Sequence, residues 1–269
     1  MPEDTNYYDR FADHNENHSP ESKKQKKAKV VETGYSLAKI FGYMFFGLLI
    51  TSIIALGLGY LVSYLFISNS GNAEATEAIM IGVVATLIVS AIAIMVMSFV
   101  VPIVVMRNKH SVLVPSIIYT ILMGIMLSTI TAFIPWYILG ITFGITSVIF
   151  GLMALIAVLS KSRLNGLAIA AIGLVTGAGL LSLVMFILMI TNVMTGELVW
   201  LYWVITLVTF AAMMLITIWD MVRIKKIAQE GEMNQNLSLY CAFILYNDFI
   251  NILLRVLRIV LMILAKSKR

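Results

Sequence analysis

The chain is 269 residues long, 60% hydrophobic and only 12% charged, with a mean hydropathy of +0.95. Soluble domains run at about 45–50% apolar and about 25% charged, so a soluble fold is excluded, and apolar blocks of bilayer-spanning length point to an all-α integral membrane protein. The net charge of +5 is spread over tails and short loops, which excludes a basic face for nucleic acid, and the single Cys241 excludes an internal disulfide or a cysteine metal cluster.

Residues 1–33 are expected to form a disordered cytoplasmic tail, first acidic and rich in His and Asn, then basic through "KKQKKAK" at Lys23–Lys29. The opening is too polar for a cleavable signal peptide. Residues 34–269 divide into seven predicted spans, at 38–67, 78–106, 112–134, 136–160, 166–190, 198–221 and 238–265, the last being the least apolar. The connections are short, so sequential helices should be antiparallel neighbours in one bundle.

Loop charge sets the expected orientation. Lys39, Arg107, Lys109, Lys161, Arg163, Arg223, Lys225 and Lys226 alternate with a second side that carries Glu74, Glu77 and Glu197. The positive-inside rule places the N-terminus in the cytoplasm, and Trp136, Trp200, Trp203 and Trp219 fall near span ends, as an aromatic belt requires. A spanning last helix would leave Lys266, Lys268 and Arg269 on the outside, against the rule, whereas a re-entrant one would return them. Charge leaves both open. Gly140, Gly144 and Gly151, and Gly173 with Gly177, are read as close packing between helices of one chain.

Only two acidic residues, Asp220 and Asp248, belong to apolar stretches. A carboxylate at the centre of a span costs about 2.5–3.5 kcal/mol or more, so both are functional candidates. At 100° per residue, Tyr240, Asn247, Asp248, Asn251, Arg255 and Arg258 share one stripe about 100° wide on the last helix, with Phe249, Ile252, Leu253, Val256 and Leu257 on the rest. Such a helix either lines something polar at the bundle centre or lies on the membrane surface. Asp220 and Asp248 flank the polar turn Gly231–Asn236 symmetrically, and a hairpin folded there puts both at one depth. They would then share a proton and titrate as a unit, or offer oxygens to a hard cation. The bland reading of Asp220 is an interfacial residue beside Trp219. Arg107 follows Pro102 by five residues, and a proline there hinges the helix; the bland reading is a cytoplasmic anchor after an ordinary transmembrane proline.

The run "ILYNDFINILLRVLRI" (Ile244–Ile259) resembles the last-helix signature of the Bax inhibitor-1 (transmembrane Bax inhibitor motif) family, "LYxDFINLF" in bacterial members. "TIWDMVRIKKI" (Thr217–Ile227) resembles the preceding family segment, and "YTILMGIMLSTI" (Tyr119–Ile130) loosely follows its third helix. The resemblance implies a seven-transmembrane-helix bundle with the last helix central. It also implies a two-aspartate pH sensor and transient Ca²⁺ site at Asp220 and Asp248, an arginine latch at Arg107, and a pH-sensitive calcium leak. No resident cofactor is implied. Two departures stand out: Asn247 occupies a position where an apolar residue is more usual, and Arg255 comes early, where it could pair with Asp248.

Other readings belong to different classes. The three histidines, His14, His18 and His110, lie in the tail or a loop, so no span pairs a His with a nucleophile and an enzyme is not expected. Neither "IWDM" nor "YNDF" has the glycine-rich setting of an aspartyl intramembrane protease. A regulatory membrane protein that binds a membrane protease or modulates cell death is the main rival, as some relatives are understood to do. A proton-coupled transporter is third. Expected partners are therefore the bilayer, Ca²⁺ and H⁺, and the expected location is a bacterial cytoplasmic membrane.

Overall fold

Long runs of Leu, Ile, Val, Met and Ala in lipid leave the backbone one economical way to satisfy its N–H and C=O groups, the α-helix. The computed structural model describes residues 20–107, 111–159, eight helical positions between 170 and 183, 199–230 and 233–267. Among these residues there is no strand, and the continuous helices are α1 (Pro20–Ser68), α2 (Ala73–Arg107), α3 (Leu113–Thr131), α4 (Trp136–Leu159), α5 (Val199–Glu230) and α6 (Gln235–Ser267). Five of them, α1 to α5, are long and apolar enough to cross a membrane. The sixth, 33 residues long, carries Asp248, Arg255 and Arg258 and is not among those five.

Most predicted spans match these helices within a few residues, but two differ. The helix expected to begin near 38 starts at Pro20, so the "KKQKKAK" stretch is helical where disorder was expected. Lys, Gln and Ala are good helix formers, and a proline is tolerated in a first turn. At the other end, the span expected to stop at 221 continues to Glu230. Arg223, Lys225 and Lys226 end the apolar run without ending the helix. The expected span at 166–190 lies largely outside the described residues.

Side chains at the breaks start the helices. Asn72 Oδ1 accepts from Ala75 N–H (3.2 Å) ahead of α2, and Asn234 Oδ1 accepts from Leu237 N–H (2.7 Å) ahead of α6. Both satisfy a first-turn donor that has no partner within the helix.

Helices α1 and α3 run parallel along a tight seam. A Cβ on Gly124 would lie 2.8 Å from Ile54 Cβ and 3.1 Å from the Thr51 carbonyl oxygen, and one on Gly59 would collide with Thr131. The seam is stitched by Thr51 Oγ1 donating to Thr120 O (3.1 Å) and by Thr131 Oγ1 donating to Ala55 O (2.8 Å). Among the described residues, the glycines expected at helix contacts, Gly140, Gly144, Gly151, Gly173 and Gly177, have nothing within 4 Å of a Cβ position. The buried row of α4 is instead Ile138, Thr142, Thr146, Phe150, Met153 and Ala157.

The loop before α3 and the turn before α6 meet at one end of the bundle. There Val112 N–H donates to Asn236 Oδ1 (3.4 Å), and Val101, Val112 and Leu239 form a small buried cluster. Lys225 Nζ donates to Val158 O (2.6 Å), which joins the C-terminal ends of α4 and α5 and makes these two helices parallel. Helix α6 touches each of the other five.

Candidate functional site

The site is built where α6 meets α1, α3 and α5. Successive helical residues point about 100° apart, so Tyr246, Asn247 and Asp248 address three different neighbours. The Tyr246 hydroxyl is 2.6 Å from Thr51 Oγ1 on α1. Asn247 Oδ1 accepts from the Tyr119 hydroxyl on α3 at 2.8 Å. Asp248 lies within electrostatic reach of Asp220 on α5.

The hairpin that pairs the two acids is slightly offset. Asp220 comes ten residues before Glu230, whereas Asp248 comes thirteen after Gln235. At a rise of about 1.5 Å per residue the depths differ by about 4.5 Å, so they are close but not level. Asp220 is half-buried in the interior of α5, not at the helix end where an interfacial residue was the bland expectation. Its positive neighbour is Arg223, one turn on, which stacks over Trp219 with 5.6 Å from guanidinium to ring centroid. Asp248 is 5% exposed, and its Oδ2 has no hydrogen-bond partner among the described residues. A buried carboxylate oxygen without a donor is costly, and a second carboxylate within electrostatic reach adds repulsion. A proton or a hard cation is the natural counter-charge.

Among the described residues, no group of three His, Cys, Asp or Glu side chains could hold a metal ion. Calcium takes six to eight oxygens, so an ion beside this pair would keep most of its shell from water or carbonyls. Cys241, 1% exposed, lies two turns before Asp248 on the same side of α6 and within electrostatic reach of Asp220 and Arg223.

The polar stripe of α6 divides. Every fully buried residue of the helix falls within an arc of about 200° running from Asp248 through Leu245, Phe249 and Tyr246 to Ile250. Asn247, Asn251 and Arg255 lie outside that arc and are half-buried, and Arg258 is exposed. The tightly enclosed face is therefore the apolar one, with Asp248 at its edge. Phe249, for example, packs on Phe143 and Phe150 of α4 with centroids 5.5 and 5.4 Å apart. Apolar side chains gain from close packing, while amides and guanidinium groups favour the less sealed arc. Arg255 donates to Thr209 of α5 and does not pair with Asp248.

The remaining expected residues lie at the shared end. Pro102 is inside α2, next to fully buried Val101, and its missing N–H leaves the Ser98 carbonyl without a helical donor. Arg107 is the last residue of α2, and its side chain lies outside the described residues, so the latch does too. Residues given no role from sequence are Thr51, Tyr119, Thr209 and Tyr246, although Tyr119 and Tyr246 lie within the third-helix and last-helix runs. Hydroxyls inside apolar runs need partners, and that was the available signal.

A protein-family model described as "Inhibitor of apoptosis-promoting Bax1" matches residues 35–267 of the chain. No curated protein and no solved structure matches it.

Proposed function

The chain belongs to the family of inhibitors of apoptosis-promoting Bax1, and on that premise we propose that it is a pH-sensitive calcium leak of a bacterial cytoplasmic membrane. In this reading Asp220 and Asp248 are the proton sensor and transient cation site, and Arg107 is the latch. The observation that carries it is the enclosed Asp248 carboxyl, with an unpartnered oxygen and a second carboxyl as its electrostatic neighbour. Structural cores rarely keep such a group, and an ionisable residue within a membrane marks a pathway or relay.

Seven crossings fit this reading. The sequence between residues 159 and 199 supplies an apolar run of spanning length. Helix α6 follows α5 from Gln235 to Arg255, about 30 Å at 1.5 Å per residue, which is the thickness of the hydrocarbon layer. A continuous 33-residue helix that touches each of the five other described helices supports a spanning, central position. The gathering of Arg223, Lys225 and the start of α3 at one end supports a cytoplasmic N-terminus.

Proton occupancy of the pair competes with Ca²⁺. Loss of the pair's negative charge releases an Arg107 held beyond the Pro102 hinge, which shifts a closed–open equilibrium. The test is Ca²⁺ entry into proteoliposomes between pH 5 and 8. Wild type should leak with a pH-dependent rate, and Asp220→Asn or Asp248→Asn should shift or flatten that dependence. Folded protein that passes no Ca²⁺ at any pH would end this reading in favour of a regulator bound to a membrane protease.

A further inference from the structure

The consecutive residues Tyr246, Asn247 and Asp248 raise a question of rotation. Apolar packing alone does not fix the angle of α6 about its axis, because its buried arc is about 200° wide and many angles bury similar surface. Directional bonds do. Tyr119 is 2% exposed, and its ring is held edge-on by Phe243 (centroids 4.8 Å) and Tyr246 (6.1 Å), which fixes where its hydroxyl sits. Ser98 of α2 is a second hydroxyl neighbour there, and the Tyr119 hydroxyl donates to Asn247. On the adjacent face, Thr51 Oγ1 donates to the Thr120 carbonyl and so accepts from Tyr246. Gly47 permits this contact, since a Cβ there would press on the Tyr246 ring at 3.3 Å.

We infer that the Tyr119–Asn247 and Thr51–Tyr246 hydrogen bonds form a clamp that sets the rotation of α6, and that Tyr119 and Asn247 are positioning residues for the acidic pair. Two bonds from neighbouring residues to two different helices define an angle as one cannot. With a side-chain tip about 6 Å from the helix axis, a 30° rotation moves it by roughly 3 Å. That distance is enough to take Asp248 out of register with Asp220. The inference rests on the reading of Asp220 and Asp248 as the working site.

Cys241 supplies a reporter independent of ion flow. It is the only cysteine, it is buried, and it lies on the same side of α6 as Asp248. The full chain in lipid nanodiscs would be treated with N-ethylmaleimide and the rate of alkylation followed by mass. Tyr119→Phe, Asn247→Leu and the double variant would be compared at unchanged melting temperature. Each single variant should speed alkylation about three- to fivefold, as expected for one lost hydrogen bond. The double variant should be no faster than either, because both remove the same bond. In proteoliposomes all three should move the pH midpoint of Ca²⁺ entry equally. Wild-type alkylation rates, additive effects in the double variant, or an unmoved pH midpoint overturn the clamp. If wild type passes no Ca²⁺, the channel reading falls and the alkylation comparison alone decides the clamp. Tyr119→Phe, which removes a single oxygen, carries the test if Asn247→Leu does not fold.

Discussion

Gly124→Ala is the sharpest test of the α1–α3 seam. The added Cβ would lie 2.8 Å from Ile54 Cβ, and ordinary contact begins near 3.4 Å, so about 0.6 Å must be found. The nearest atom is a Cβ anchored to the backbone, which no rotamer change can withdraw. The second obstacle is the backbone oxygen of Thr51. The helices must therefore separate, at a cost of about 1–3 kcal/mol for overpacking, and the separation also strains the Thr51 bonds to Thr120 and Tyr246. Gly140→Ala is the matched control. Gly140 lines a cavity of about 380 Å³ between α1, α3, α4 and α6, with nothing within 4 Å of its Cβ position. Better helix propensity should leave it neutral or slightly stabilised. Steric trapping in bicelles measures both unfolding free energies. Equal values for the two variants would refute the claim that Gly124 sets the distance between α1 and α3.

Thr51→Val should lose about 1–2 kcal/mol by the same assay, because it strands the buried Tyr246 hydroxyl, while Thr51→Ser should recover most of that. Lys225→Met should raise amide hydrogen exchange in the last turn of α4 while leaving global stability within about 1 kcal/mol, since one exposed cap at a helix C-terminus is lost. Deletion of residues 1–33 should leave Ca²⁺ entry intact, and abolished entry would favour a role carried by the tail.

The sequence was most legible where a property is local. Blocks of apolar residues marked α1 to α5, and two isolated aspartates in such blocks marked the candidate site. The expected equal-armed hairpin is unequal by three residues, Asp220 lying ten before Glu230 and Asp248 thirteen after Gln235. What failed needed the rotation of one helix against another. A four-residue spacing of glycines on α4 states only that small residues share a face, and that face turned out to be open. The glycines at close approach are Gly59, one of five in α1, and Gly124, the single glycine of α3, and they share no four-residue spacing that would mark them as contacts. The α6 wheel likewise separated polar from apolar correctly but could not say which arc the other helices would enclose. Asn247 was visible as a departure and Tyr119 as the tyrosine of the third-helix run, but their pairing across 128 positions was not.

The charges of α6 also bear on how the protein is made. A translocating chain offers its segments to the bilayer one by one, and each of Asp248, Arg255 and Arg258 adds about 2.5–3.5 kcal/mol to solitary insertion near mid-depth, against about 0.3–0.6 kcal/mol gained per Leu, Ile, Val or Phe. The final segment is therefore a poor client of the insertion machinery on its own. It lodges by exchanging water for groups already in place: the Thr51 and Tyr119 hydroxyls for Tyr246 and Asn247, and Thr209 for Arg255. Completion of the chain thus depends on correct assembly of what precedes it, and a misassembled bundle would leave its last segment stranded at the membrane surface, where quality-control proteases can reach it.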